Sequence, residues 1–262
     1  MTISGAYEFS PARTAAASAA LELIEPGMTI GLGSGRAVWT LIEAIGGRWV
    51  KPPVKAVVAS RATYALAQLG RIEVAQLDGE THPDLAIDGA DEIDPELRLL
   101  KGGGGALLRE KIVISAARRF VVVAEADKRV ERLGARFTLP VEVVRFGWRD
   151  TQRRISAYLP EPKLRMEGGD AYLTDENHFI LDCTLPPGAD VEALDHELKQ
   201  LPGVVEHGLF IGLAERALVG RPDGQIDVIT AGPPQSPTGP PVGGRPGAAP
   251  AAVPPGQSSP QR

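Results

Sequence analysis

The sequence has little cysteine, few aromatic residues and no long apolar run. Cys183 is the one cysteine among 262 residues, which excludes a disulfide within the chain. Aromatic residues make up 5% of the sequence, and no run of about 18 apolar residues is present, so we expect no membrane-spanning helix. The first ten residues lack the cationic and apolar segments of a signal peptide. These features together predict a cytoplasmic protein.

Positive charge and metal-ligand patterns are scarce as well. The chain has 28 Lys and Arg against 33 Asp and Glu, a net charge of −5, and no basic patch interleaved with aromatics. This balance argues against a nucleic-acid partner. The four histidines show no ligand spacing and no Gly-x-Ser-x-Gly motif occurs, so neither a transition-metal site nor a serine hydrolase is expected.

The composition changes sharply after residue 231. Ten of the 23 prolines lie in residues 232–262, together with no aromatic and no acidic residue. Such a segment buries too little apolar surface to offset the entropy of ordering, so we predict a disordered Pro/Gly-rich tail. The function is then expected in residues 1–231.

The rest of the chain alternates strand-like and helix-like patterns. A first helix is predicted over residues 11–25, and the apolar run at 120–125 is typical of a strand covered on both faces. We therefore predict an α/β fold with a doubly wound, mostly parallel, Rossmann-like sheet formed by residues 1–138 and 204–231. Residues 139–203 are predicted to form a smaller α+β lobe, and the strands after residue 203 are expected to return to the main sheet.

A glycine loop follows the first predicted strand. Glycines from Gly31 to Gly35 would let the backbone approach an anion at a helix N-terminus, but a tight strand-to-helix turn explains them equally well. A dinucleotide fingerprint needs a small residue where Arg36 stands, and no acid ends the next strand. NAD is therefore disfavoured, and Arg61 leaves NADP open as a remote alternative.

Two further polar clusters follow predicted strands. Residues 88–94 contain four carboxylates, which form either a solvated loop or, at the ligand edge of the sheet, a set of groups with separated pKa values. Lys101 precedes four consecutive glycines, and the helix after them places Glu110 on its apolar stripe. A buried glutamate has a raised pKa and suits proton transfer, whereas one that only pairs with Lys101 or Arg109 would be structural. We favour proton transfer, because a buried unpaired acid is costly to keep.

These clusters together resemble type A ribose-5-phosphate isomerases over nearly the whole ordered body. The matching stretches are PGMTIGLGSG, SRATYALAQLG, DLAIDGADEID, KGGGGALLREKI, VVVAEADKRV, LPVEV and GVVEHGLF. The resemblance implies interconversion of ribose 5-phosphate and ribulose 5-phosphate through an enediol, in the non-oxidative branch of the pentose phosphate pathway. It also implies no metal or coenzyme, a ferredoxin-like lobe, and a homodimer or homotetramer.

The resemblance also implies roles for particular residues. Glu110 would move the proton, Asp88 and Asp91 would serve the sugar hydroxyls and ring opening, and Lys101 would stabilise the developing negative charge. The residues expected to bind substrate are Gly33, Ser34, Gly35, Arg36, Ala37, Gly89, Ala90, Gly102, Gly103, Gly104, Lys128 and Arg13.

The chain departs from the family pattern at its glycine loop. The family usually continues with hydroxyl residues, whereas this chain has Arg36 and Ala37, and we hypothesise that the Arg36 charge replaces the lost hydroxyl hydrogen bonds. Leu108 and Glu125 replace a Thr and an Asp. Two alternatives remain: a sugar-phosphate-binding sensor domain, and an isomerase for another phosphorylated aldose.

Overall fold

The structure, a computed structural model, describes residues 9–230, so the predicted tail at 232–262 lies outside the described residues. The helices of this part are α1 (Pro11–Leu21), α2 (Arg36–Arg48), α3 (Arg61–Leu69), α4 (Leu107–Ala116), α5 (Trp148–Ile155) and α6 (Val191–Lys199). The strands are β1 (Thr29–Leu32), β2 (Lys55–Val58), β3 (Glu73–Val74), β4 (Leu85–Asp88), β5 (Glu92–Ile93), β6 (Leu99–Leu100), β7 (Phe120–Glu125), β8 (Leu139–Val143), β9 (Lys163–Leu164), β10 (Met166–Glu167), β11 (Asp170–Ala171), β12 (Phe179–Cys183), β13 (Val204–His207), β14 (Leu209–Phe210), β15 (Arg216–Gly220) and β16 (Ile226–Thr230). None of these helices has the length and apolar character needed to cross a membrane.

Seven strands form the central sheet in the order β16-β15-β7-β4-β1-β2-β3. All neighbours are parallel except β16, which pairs antiparallel with β15. The chain runs from β1 outward to β2 and β3, and later enters β4 and β7 on the other side of β1. The switch point of the sheet therefore lies between β1 and β4, which confirms the doubly wound α/β prediction.

Strand β7 shows why its sequence is apolar at nearly every position. Val121 and Val123 pack with α1 and α2 on one face of the sheet, while Val122 and Ala124 pack with α4 on the other. Side chains alternate between the two faces of a strand, and both faces are covered here. The position of β7 in the sheet thus accounts for its unbroken apolar run.

Capping residues set where the helices begin. The Ser10 hydroxyl accepts a hydrogen bond from the Arg13 N–H, and Pro11 occupies the first turn of α1. The predicted end of this helix at residue 25 is wrong, because α1 ends at Leu21. After that residue the N–H of Ile24 bonds to the Leu21 carbonyl in a tighter turn, and Ile24 enters the core.

The lobe is an antiparallel sheet in the order β13-β8-β12-β9, with α5 after β8 and α6 after β12. The short hairpin of β10 and β11 lies between β9 and β12. The resulting succession β-α-β-β-α-β is that of a ferredoxin-like fold. The predicted α+β lobe is therefore confirmed.

One strand assignment of the sequence analysis is wrong. Residues 204–210 do not return to the central sheet: β13 pairs with β8 of the lobe, and β14 pairs with β6 in a three-stranded sheet with β5. Strand β13 instead lies at the edge of the lobe sheet beside β8, where it completes the order β13-β8-β12-β9. The predicted boundaries at 138 and 203 remain predictions.

Candidate active site

A cleft of about 420 Å³ lies at the carboxyl ends of the central strands, beside the switch point of the sheet. This is the edge at which open α/β sheets bind ligands. The predicted residues in its wall are Arg13, Ser34, Gly35, Arg36, Ala37, Gly89, Ala90, Asp91, Lys101, Gly102, Gly103, Gly104, Glu110 and Lys128. Gly33 and Asp88 are buried behind this wall.

Asp88, the last residue of β4, is held by the glycine loop that follows β1. Its Oδ1 accepts hydrogen bonds from the N–H groups of Ser34 (3.1 Å) and Gly89 (2.7 Å). A Cβ at position 33 would lie 1.8 Å from the Asp88 Cγ, so only glycine leaves room for this carboxylate. Gly33 therefore has a steric role at Asp88 in addition to forming the turn.

Three charged side chains meet next to the cleft. The Lys101 Nζ lies 2.8 Å from Asp88 Oδ2 and 3.0 Å from Glu110 Oε2, and it donates a hydrogen bond of 2.7 Å to the Gly89 carbonyl. All three side chains are at most 6% exposed. Two carboxylates thus share a single ammonium group away from bulk water.

Glu110 lies on α4 as the sequence predicts, on the same buried face as Leu107 and Ile114. It also pairs with Lys101, so the structural pairing that the sequence analysis weighed as an alternative is present. Burial, and then the charge of Asp88, raise the pKa of Glu110 to about 8, although Lys101 opposes this. Glu110 is therefore buried, paired and still a weak acid.

The same cluster shifts the other two pKa values. Burial raises the pKa of Asp88, despite the opposing charge of Lys101. Burial also disfavours the charged form of Lys101, but the carboxylates of Asp88 and Glu110 outweigh it and raise its pKa. Lys101 consequently remains an ammonium at neutral pH.

The four glycines at residues 102–105 form a loop between Lys101 and α4, the glycine wrap. Gly102 and Gly105 have φ angles of +106° and +80°, in the left-handed region that favours glycine. Between them, the N–H of Gly103 donates to Asp91 Oδ2 at 2.8 Å. The wrap thus holds Asp91, the second aspartate of the acidic cluster at residues 88–94, at the cleft.

The other two carboxylates of the acidic cluster are structural. Glu92 is fully buried and accepts the N–H groups of Gly134, Arg136 and Phe137 at 2.5–2.9 Å. Asp94 caps the following turn and pairs with Arg98. Within residues 9–230, no group of three or more His, Cys, Asp or Glu side chains is arranged to hold a metal ion.

Cations and hydroxyls gather where α2 begins. Arg36 is the first residue of α2, exposed at the cleft, and Ser34 Oγ lies 3.1 Å from the Ser60 Oγ. Lys128 also lines the cleft, whereas Arg13 pairs with Glu125 at 2.8 Å. Although burial raises it, hydrogen bonds from Ser10 and Arg13 lower the pKa of Glu125. The helix N-terminus and these cations favour an anion here.

The lobe supplies cleft residues that the sequence analysis missed. Tyr172 and Asp175 line the cleft, and Asp175 accepts a hydrogen bond of 2.9 Å from the Arg61 N–H at the start of α3. No motif or spacing in the sequence connects them to the glycine clusters. They reach the cleft because the lobe packs against the wrap.

The chain is similar to known proteins over most of its length. The family described as ribose 5-phosphate isomerase A (phosphoriboisomerase A) matches residues 55–224. A ribose-5-phosphate isomerase A of Roseiflexus sp. (strain RS-1) is 48% identical over 220 residues, which are 82% of this chain and 94% of that protein. The solved ribose 5-phosphate isomerase A of Methanocaldococcus jannaschii has a TM-score of 0.78 and 34% identity, covering 83% of this chain and 97% of that one. A solved D-ribose-5-phosphate isomerase in complex with phospho-erythronic acid has a TM-score of 0.79 and 33% identity, with the same coverage.

Proposed function

Since the chain belongs to the ribose-5-phosphate isomerase A family and is an isomerase of ribose 5-phosphate, we propose that Glu110 carries the proton between C2 and C1 of the sugar. The cluster of Glu110, Lys101 and Asp88 at the cleft is the observation that supports this assignment. A carboxylate whose pKa lies near 8 is a stronger base at neutral pH than an exposed glutamate.

The reaction is a proton transfer in the open-chain aldehyde form of the sugar. The Glu110 carboxylate takes the proton from C2, the C–H electron pair forms the C1–C2 double bond, and O1 becomes an oxyanion. A proton then passes from O2 to O1, and Glu110 returns its proton to C1 as the C2 carbonyl forms. The Lys101 ammonium stabilises the oxyanion, because a fixed charge in a dry site needs no reorganisation.

The rest of the cleft binds the substrate. Asp91, in the cleft wall, accepts hydrogen bonds from sugar hydroxyls and assists ring opening, with backbone groups of Gly89, Ala90 and the glycine wrap around it. Asp88 is buried behind the wall, so the direct sugar contact expected of it is replaced by its contact with Lys101 at 2.8 Å, through which it acts on the site. The phosphate lies at the loop from Gly33 to Ala37, where Arg36, Lys128 and Arg13 supply positive charge. A relative binds phospho-erythronic acid, which carries a phosphate as the substrate does.

Isotope transfer tests the assignment of Glu110. Ribose 5-phosphate deuterated at C2 is converted in water, and deuterium is measured at C1 of the product and in solvent. We expect the parent to move or lose the label and the Glu110→Gln variant to leave it at C2. Glu176→Gln, an exposed glutamate bonded to Arg109, is the matched control. Label loss by Glu110→Gln at the parental rate would contradict the assignment.

Arg36, which lines the cleft, raises the alternative that another phosphorylated aldose is the preferred substrate. We expect ribose 5-phosphate to be converted faster than the phosphates of arabinose and allose, when purified protein is assayed on all three. Faster turnover of one of the other sugars would show that a different aldose phosphate is the preferred substrate.

We place the enzyme in the cytoplasm as a homodimer or homotetramer without a nucleic-acid or membrane partner. A groove of about 550 Å³ has apolar residues such as Leu108 and the 49% exposed Ile112 beside the charged residues Lys111, Asp195, Lys199 and Glu206, and its exposed apolar part supports self-association. Light scattering on the purified chain measures the oligomer, and a monomer at micromolar concentration would contradict this.

A further inference from the structure

Two side chains of the lobe bind three successive carbonyl groups of the glycine wrap. Arg165 donates from NH1 to the carbonyls of Gly102 (2.9 Å) and Gly103 (3.1 Å). The Tyr172 hydroxyl lies 3.3 Å from the carbonyl of Gly104 and donates to it. Every carbonyl from 102 to 104 is therefore held from the lobe side of the wrap.

The guanidinium of Arg165 is itself fixed. Its Nε and NH2 donate to the two oxygens of Asp182 on β12 at 2.9 and 2.6 Å, a bidentate pair that sets the orientation of the planar group. The guanidinium also lies 5.8 Å from the centre of the Tyr172 ring. Since the pair is at most 23% exposed, its geometry is protected from water.

Peptide geometry links these contacts to the cleft. In a trans peptide the C=O and the following N–H point in opposite directions. When Arg165 draws the Gly102 carbonyl toward the lobe, the N–H of Gly103 is directed away from the lobe, and it donates to Asp91. Within residues 9–230 the N–H of Gly104 has no acceptor, so the same geometry leaves it available for a ligand at the cleft.

We propose that Arg165 and Tyr172 are positioning residues of the isomerase, which hold the wrap so that it presents its N–H groups to Asp91 and to the substrate. Neither residue needs to touch the sugar carbons. This inference rests on the isomerase reaction described above. It also gives a reason for glycine at position 105, where a Cβ would lie 2.1 Å from the Tyr172 hydroxyl oxygen.

Chemical rescue tests the proposal. Arg165→Ala is assayed on ribose 5-phosphate with and without millimolar guanidinium, which can occupy the space beside Asp182. We expect kcat to fall about 10- to 100-fold with KM changed much less, because the wrap is displaced while the phosphate loop is untouched. Guanidinium should restore part of kcat. Arg98→Ala is the matched control, since Arg98 also joins the lobe through Glu192 but contacts no glycine of the wrap.

Conservative variants cover the case in which Arg165→Ala does not fold. Arg165→Lys keeps the charge and loses the fork, and Tyr172→Phe loses a single hydroxyl. Both should lower kcat about 3- to 30-fold at a melting temperature close to that of the parent. Parental kcat and KM in these variants would overturn the proposal, as would a loss in Arg165→Ala that guanidinium cannot restore and Arg98→Ala shares. Failure of the parent itself to isomerise ribose 5-phosphate would instead contradict the proposed function.

Discussion

Glu110 and Lys111 are neighbours on α4, and both are buried charges, but their surroundings differ. Glu110 shares the Lys101 ammonium with Asp88, so two carboxylates depend on one cation. Lys111 uses its three donors fully, with contacts of 2.7–2.8 Å to the Glu206 carboxylate and to the carbonyls of residues 207 and 209. One cluster has an excess of negative charge beside a cleft, and the other is balanced.

Burial shifts the two pKa values in opposite directions. It raises the pKa of Glu110 to about 8 and lowers that of Lys111 to about 8. A shifted pKa alone therefore does not distinguish catalysis from structure. What distinguishes the clusters is the balance of partners, since the carboxylates of Glu110 and Asp88 share one ammonium group, whereas Lys111 has a carboxylate and two carbonyls of its own. We infer that Glu110 is arranged for chemistry and Lys111 for joining α4 to the lobe.

Glu110→Gln should have the largest effect of the variants that test the difference between the two clusters. We expect kcat to fall by about 10⁴-fold, because the variant keeps the shape of the side chain and loses the proton carrier. Binding of phospho-erythronic acid, measured by calorimetry, should change by less than about threefold, since the phosphate loop is intact. An active Glu110→Gln enzyme would refute the role of the glutamate.

Lys111→Met should lower the stability of the protein and leave its turnover nearly unchanged. Removing this cation leaves Glu206 and two carbonyls buried without their partner, so we expect the free energy of unfolding to fall by about 3–5 kcal/mol. In urea titrations the midpoint should move, whereas kcat at a permissive temperature should stay within about threefold of the parent. A stable but inactive Lys111→Met protein would reverse the assignment of the two clusters.

Lys101→Met tests the cation of the reactive cluster, which consists of Lys101, Asp88 and Glu110. We expect kcat to fall about 10²- to 10³-fold, since the oxyanion loses its stabilising charge. Initial rates on ribose 5-phosphate, corrected for the folded fraction, provide the measurement. If Lys101→Met lost no more activity than Lys111→Met, charge stabilisation by Lys101 would be excluded.

Much of the reactive cluster can be predicted from the sequence, because simple geometry produces it. Parallel strands end at one edge of a sheet, which brings Asp88 to the glycine loop, and helical spacing buries Glu110. The pairing of Glu110 with Lys101 is less predictable, since it depends on how four glycines turn the chain back. Local pattern indicated the residues but not their distances.

The lobe side of the site and one strand could not be predicted, for a related reason. Arg165 and Tyr172 reach the wrap only through packing between the lobe and the central sheet, and no periodic pattern records such contacts. Likewise the pattern of β13 specifies a strand but not its partner, which is β8 rather than the central sheet. Contacts between distant segments determine both features.

The pH dependence of kcat/KM gives the smallest and sharpest distinction between the two clusters. If Glu110 is the base we propose, it acts when deprotonated, so with a pKa of about 8 the rate should rise with pH from about 6.5 and level off above about 9. Asp88→Asn removes a negative charge that raises this pKa, so the rising limb should move to lower pH even though kcat falls. Asp195→Asn, beside Lys111, should leave the limb in place. Lys111 should affect the stability of the fold instead of the rate. Because folding lowers the pKa of Lys111 to about 8, the free energy of unfolding should rise as the pH rises from about 8 toward the ordinary lysine pKa of 10.5. This gain in stability is lost as the pH falls through about 8. A limb that moved with Asp195→Asn and not with Asp88→Asn would assign the titration to the structural cluster.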